Sequence, residues 1–259
     1  MDVPVAPPPL SAEMQRYAAL DQRLLVAVRA IRILPTVAWS ASLEERMIAE
    51  YRVDRLSLPD VHYVRPDLDA TRRELVAIEK EVAEDHPIAD YLRRTAESWR
   101  VAAEMLEKVG TAGFAEPSIQ LYGRPGELIP GSPRSNLDAA RYFVELADEL
   151  GADLATDDAE GNIPAEALRA DMAAKLDAFF GPGRISVEVD PELTAKAAAG
   201  ATRIRLRGGA SFTEYDRHQL LAHEAFVHTL TALNGREQPM LASLARTSPR
   251  VTATQEGLA

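Results

Sequence analysis

Most of the chain carries its hydrophobic residues at helical spacing, and only the last third switches to strict alternation. Leu20, Leu24, Val28 and Ile31 recur at helical intervals after a plausible N-cap at Ser11, and Pro35 predicts the end of that helix. A second helix is predicted over about 42–52, and the proline-bounded stretch 59–66 reads as a connector. Two longer helices follow, near 68–84 and 88–109. The mixed charges of Arg72, Arg73, Glu74, Glu79 and Lys80 read as a solvated helix face.

Residues 110–117 form a glycine-containing hinge, after which 118–122 (SIQLY) alternates and predicts a short strand. The prolines and glycines of 123–134 make a loop. An amphipathic helix over 136–150 is expected to stop at Gly151, followed by an acidic loop over 152–162. A further helix is predicted over 163–180, with Pro164 in its first turn. The period then changes. RISVEVD (184–190) and RIRLR (203–207) alternate strictly, with Ile204 and Leu206 facing in and Arg203, Arg205 and Arg207 facing out. If 203–207 is an edge strand, it could bind peptide as an added strand. The more economical role of its arginines is to block edge-to-edge aggregation.

Gly208-Gly209 turns into the last long helix. Ser211 and Glu214 fit a capping box, and Asn234-Gly235 supplies the stop. Apolar residues surround this helix instead of forming a stripe, which predicts burial. These elements describe an α+β fold, mostly helical, with a small sheet beside the last long helix. The division expected is 1–112, a Pro-rich arm (1–10) plus helices, and 113–259, which carries the chemistry.

Composition narrows the function. With 259 residues and 46% hydrophobic content, the chain can bury a sizeable core. The absence of cysteine excludes disulfides and thiolate metal sites. A net charge of −11 disfavours nucleic acid as a partner. The N-terminus lacks the basic and apolar regions of a signal peptide. The apolar run 24–39 is broken by Arg29, Arg32 and Pro35, so no membrane span is expected and a cytoplasmic protein is the simplest reading. No phosphate loop, nucleophile elbow or dinucleotide fingerprint is present, so no nucleotide cofactor is assigned.

The candidate chemistry lies in His223-Glu224-Ala225-Phe226-Val227-His228, an HExxxH pattern. Two histidines from one helix and a carboxylate from elsewhere can hold a catalytic zinc, with Glu224 as general base. The histidines are five residues apart, a turn of about 140° on a regular helix. A π-bulge between them would bring both rings to one side, and one is predicted. His218 lies ten residues before His228, a rise of roughly 15 Å, too far to share the metal, so it reads as a neighbour. His62 and His86 lie beside turns and read as surface or capping residues. The competing explanation is a buried helix with satisfied core histidines. A charged Glu224 in an apolar helix weighs against it, because a nearby cation would relieve the cost of burying the carboxylate.

Thr252 to Gln255 opens another capping box and the sequence ends at Ala259, which predicts a C-terminally truncated chain. Taken alone, Glu256 would be a solvated terminal residue. Gln255-Glu256-Gly257-Leu258-Ala259, however, resembles the signature of the flavohaemoglobin expression-modulating QEGLA-motif proteins. These are related to the tubulin tyrosine carboxypeptidases, which share an HExxxH metallopeptidase motif. SIQLYGR (118–124) and GSPRSNLDAARYF (131–143) extend the resemblance across the C-terminal half. It implies a zincin/gluzincin-like core with one zinc per chain on His223, His228 and Glu256, and Glu224 as the catalytic base. It also implies carboxypeptidase-type hydrolysis of a peptide or protein C-terminal tail. The other reading is a non-catalytic regulatory or interaction protein with a structural or vestigial metal site.

Overall fold

The computed structural model describes residues 10–82, 85–154, 161–193 and 195–259. The predicted Pro-rich arm falls almost wholly on residues 1–9, and most of the acidic loop on 155–160, both outside the described residues.

The first half is helical: α1 (Ala12–Val28), α2 (Ile33–Val37), α3 (Ala41–Arg52), α4 (Asp69–Glu81), α5 (Pro87–Glu107) and α6 (Ala115–Tyr122). Ser11 caps α1 by accepting from the Met14 N–H, and Ser40 caps α3 through Leu43. Leu20, Leu24, Val28 and Ile31 are all buried, as their spacing predicts. They pack on Leu75 and Ile78 of α4 and on Leu92, Ala96 and Met105 of α5. His86 caps α5 through its Nδ1, which accepts from the Ile88 N–H at 3.1 Å.

Two expectations fail here. The chain breaks at Arg29–Arg32, before Pro35, and Pro35 sits inside the first turn of α2, where a missing N–H costs nothing. Residues 118–122 are the end of helix α6, not a strand. A five-residue apolar alternation is too short to fix the period, and contact of Phe114 and Leu121 with the helical core decides it. Within Ala12–Arg52 lies a window apolar enough to cross a membrane by length and composition. The stretch Ala12–Arg52 is three separate helices, and α1 buries Tyr17, Leu24 and Val28 against α4 and α5.

The second half is mixed. Helix α7 (Asn136–Leu154) runs past Gly151. Then come β1 (Ile163–Pro164), α8 (Ala165–Phe180), β2 (Ser186–Asp190), β3 (Ala197–Ala199), β4 (Arg203–Arg207) and β5 (Ser211–Phe212). Pro164 precedes α8 as its N-cap, one residue earlier than expected. The three-stranded sheet has the order β2-β4-β3, with β2 parallel and β3 antiparallel to β4. The arginine strand β4 is therefore central, which removes both edge roles considered for it. Its arginines pair instead: Arg205 with Asp190 at 3.0 Å, Arg203 with Glu188 at 3.5 Å and Arg207 with Glu44 at 3.9 Å.

β5 pairs with β1, so Ser211 belongs to a strand and the capping box shifts by two residues. Thr213 is the N-cap of the next helix, with Asp216 closing the box. Leu168, Met172 and Leu176 of α8, Ile204 and Leu206 of β4, and Phe212 form the second core. That core receives Leu220, Ala225 and Leu233 of the histidine helix.

Candidate metal centre

The histidine helix reaches the site because its middle is wound wide. Leu221–Thr229 is a π-helix between α9 (Glu214–Leu220) and α10 (Leu230–Arg236). The Leu230 N–H donates to the Ala225 carbonyl, five residues back. Groups five apart then share a side, and this is the spacing of His223 and His228. The sequence predicts one bulge; the structure winds nine residues this way.

His223 and His228 meet edge to face, with ring centroids 4.7 Å apart and planes at 78°. Glu256 comes from α11 (Thr252–Leu258) and sets one carboxylate oxygen 3.7 Å from each Nε2. Ligand atoms of all three residues lie within 4.8 Å of one another, the one such group among the described residues. His218 is exposed and outside it.

This donor set fits a zinc-sized ion. Bonds of about 2.0–2.2 Å at tetrahedral angles put ligand atoms roughly 3.3–3.6 Å apart. The observed 3.7 Å is close to that and too long for a direct hydrogen bond.

The far nitrogen of each ring faces a glutamine. His223 Nδ1 lies 3.4 Å from Gln219 Nε2, and His228 Nδ1 lies 3.4 Å from Gln255 Oε1. The Gln255 oxygen accepts from His228 Nδ1–H, which orients that ring and leaves its Nε2 free to ligate; Gln219 serves His223 in the same way once its amide is turned to present the oxygen to Nδ1. Sequence reasoning missed both glutamines. The available signal was position: Gln219 is one turn before His223, and Gln255 adjoins Glu256.

Glu224 is 7% exposed and lies beside both histidines. Burial pushes its carboxyl above the usual range; His223, His228 and a backbone hydrogen bond from Ala199 pull it down. A buried carboxyl held beside two imidazoles is placed to take a proton and give it back. Ala199 belongs to β3, an element with no sequence signal, whose far edge carries no strand among the described residues. Lys196 and Gly200 bond to β4, so the backbone groups of Ala197 and Ala199 point to the open side.

A buried clamp holds the approach to α11. Asp21 of α1, fully buried, accepts from the Ser243 N–H at 3.0 Å and also from its hydroxyl. The same hydroxyl meets Tyr91 of α5 at 2.9 Å. Arg246 stacks on Trp99 and donates to the Val28 carbonyl. Gly235 packs so closely on Leu244 and Ala245 that a Cβ there would overlap their backbone. The first half of the chain thus positions the segment that leads to Glu256.

No curated protein and no solved structure matches the chain. A family does: the sequence pattern described as microtubule-associated tyrosine carboxypeptidase matches residues 52–259, which takes in both histidines, Glu224 and Glu256. The match bears on the tyrosine-carboxypeptidase side of the resemblance, not on the QEGLA-motif proteins. With four-fifths of its length covered, the chain belongs to the microtubule-associated tyrosine carboxypeptidase family.

Proposed function

We propose that this protein is a metal-dependent peptidase that removes a terminal residue from the C-terminal tail of a peptide or protein. Tyrosine is the first residue to test, because the family's description names it. The observation that carries the reading is the convergence of His223, His228 and Glu256 beside a buried Glu224.

His223, His228 and Glu256 would hold one zinc ion. When bound, the ion supplies Lewis acidity at the scissile carbonyl and lowers the pKa of water. Glu224 accepts a proton from the attacking water and returns it to the leaving amine as the C–N bond breaks. The open edge of β3 offers Ala197 and the Ala199 carbonyl to an extended substrate backbone, as an added strand. The small side chains of Ala197–Ala199 leave room for that approach.

The test combines metal analysis with turnover of a tyrosine-terminated peptide. Zinc near one per chain is expected, lost in both His223→Ala and Glu256→Ala. Glu224→Gln is expected to keep the metal and lose about 10²–10⁴-fold in kcat. Unchanged turnover in Glu224→Gln would sink the assignment of the base. Full metal loading with no hydrolysis of any tail peptide would favour the regulatory reading.

A further inference from the structure

Helix α7 is amphipathic, and its apolar side is exposed among the described residues. Leu137, Ala140, Phe143, Val144, Ala147 and Leu150 recur every three or four residues along one side. In a globular fold such a stripe is normally the buried one. Here Phe143 is 64% exposed, Val144 62%, and Leu137 and Leu150 44% each. None of the residues 136–150 is buried. The helix is held at its start by a capping box, in which the Ser135 hydroxyl accepts from the Asp138 N–H and Asp138 accepts from the Ser135 N–H and hydroxyl, and by the Asn136 and Leu137 N–H groups, which donate to the Glu127 and Pro125 carbonyls.

The charges beside the stripe say what covers it. Arg141 and Asp148 lie on the same flank, seven residues apart and of opposite sign. A twofold axis through the point midway between Val144 and Glu145 exchanges these two positions. The same axis lies near the middle of the apolar stripe, so an antiparallel copy superposes stripe on stripe while Arg141 of each helix meets Asp148 of the other. Self-complementarity of this kind is the requirement for an isologous contact. The face behind that flank is acidic, with Glu145, Glu149 and Asp138, the last 3.6 Å from Arg141. It would repel an anionic lipid surface and gives a foreign acidic segment one arginine to meet.

We infer that α7 is a self-association surface, on which two copies of this chain pair their α7 helices antiparallel about that axis. At about 28 Å long, a single helix pair buries less than a standard interface, so the dimer forms reversibly with rising concentration. The contact lies outside the metal centre and does not depend on the peptidase reading.

Sedimentation velocity over a wide concentration range tests this on the full chain. The wild type is expected to shift from monomer to dimer. Val144→Asp, which places a charge in the seam, is expected to weaken dimerisation at least about tenfold, the loss from roughly 1.4 kcal/mol. Because Val144 is exposed in the monomer, its thermal unfolding should be unchanged. Arg141→Asp alone and Asp148→Arg alone should each weaken the dimer, and the double reversal should restore it. A wild type that stays monomeric throughout overturns the inference, whether or not it floats with vesicles of phosphatidylcholine and phosphatidylglycerol. So does a dimer indifferent to Val144→Asp, or a double reversal that fails to restore pairing.

Discussion

The two sides of the candidate metal centre are built differently. His223 and His228 ride on a helix threaded through the second core, anchored by Leu220, Ala225 and Leu233. Glu256 rides on a seven-residue helix whose one buried residue is Gln255, and its own side chain is 57% exposed. The histidines are thus placed by local winding and core packing. The carboxylate is placed from a distance, through Gly235, Ser243 and the first half of the chain. On the proposed reading, a metal held between a fixed pair and a tethered third ligand should respond unequally to damage on the two sides.

The largest effect is expected from Gly235→Ala. The added methyl would overlap the Leu244 and Ala245 backbone, so α10 and the segment after it must separate. Overpacking of this kind costs about 1–3 kcal/mol or more, read by chemical denaturation. Zinc affinity should fall with it, because the shift is passed on to Glu256. Stability lost without any change in affinity would show that α11 is placed by something else.

A smaller effect, confined to the site, is expected from Gln255→Ala and Gln219→Ala. Loss of a partner to a ligating imidazole lowers metal affinity about 10–100-fold. Chelator competition should find the larger loss for Gln255→Ala, since Gln255 is buried and also adjoins Glu256. Equal losses would mean that both rings depend on their partners alike and that the tethered side is not the weaker.

The smallest effect concerns Asp21. Burial raises its carboxyl pKa, although the hydrogen bonds from Ser243 oppose that shift. A raised folded pKa means that the folded state holds the proton more tightly. This contribution to stability is complete below the ordinary carboxylate value of about 3.9 and is lost as pH rises through the folded value. Asp21→Asn should flatten the stability curve between mildly acid and neutral pH, with a net change of about 1 kcal/mol at neutral pH. A melting temperature whose pH dependence is untouched by Asp21→Asn would remove Asp21 from the account.

What could be read in the sequence follows the same division. The spacing of HEAFVH implied a widened helix before any coordinates, because five-residue separation and shared coordination are incompatible on a regular one. The burial of Leu20, Leu24, Val28 and Ile31 was equally local. Glu256 as the proposed third ligand was suggested only by the QEGLA resemblance, since nothing near it marks a site. Three alanines carry little strand preference, so β3 was invisible, and with it the central place of β4. Ser211 and Thr213 both open an acceptable capping box, and only the pairing of β5 with Ile163–Pro164 decides between them. The partners Asp21 and Ser243 are separated by 222 positions, a distance no periodicity spans.

The π-helix also sets the phase of everything after it. Buried positions step by five from Leu220 to Ala225 and from Glu224 to Thr229, then by four from Thr229 to Leu233. One residue fewer inside the motif would restore the common four-residue spacing of the histidines and keep both rings on one side. It would also turn all that follows by about 100°, carrying Leu233 out of its core and Gly235 away from Leu244. The spacing of the two histidines is therefore tied to the fit of the helix end, and neither can drift without the other.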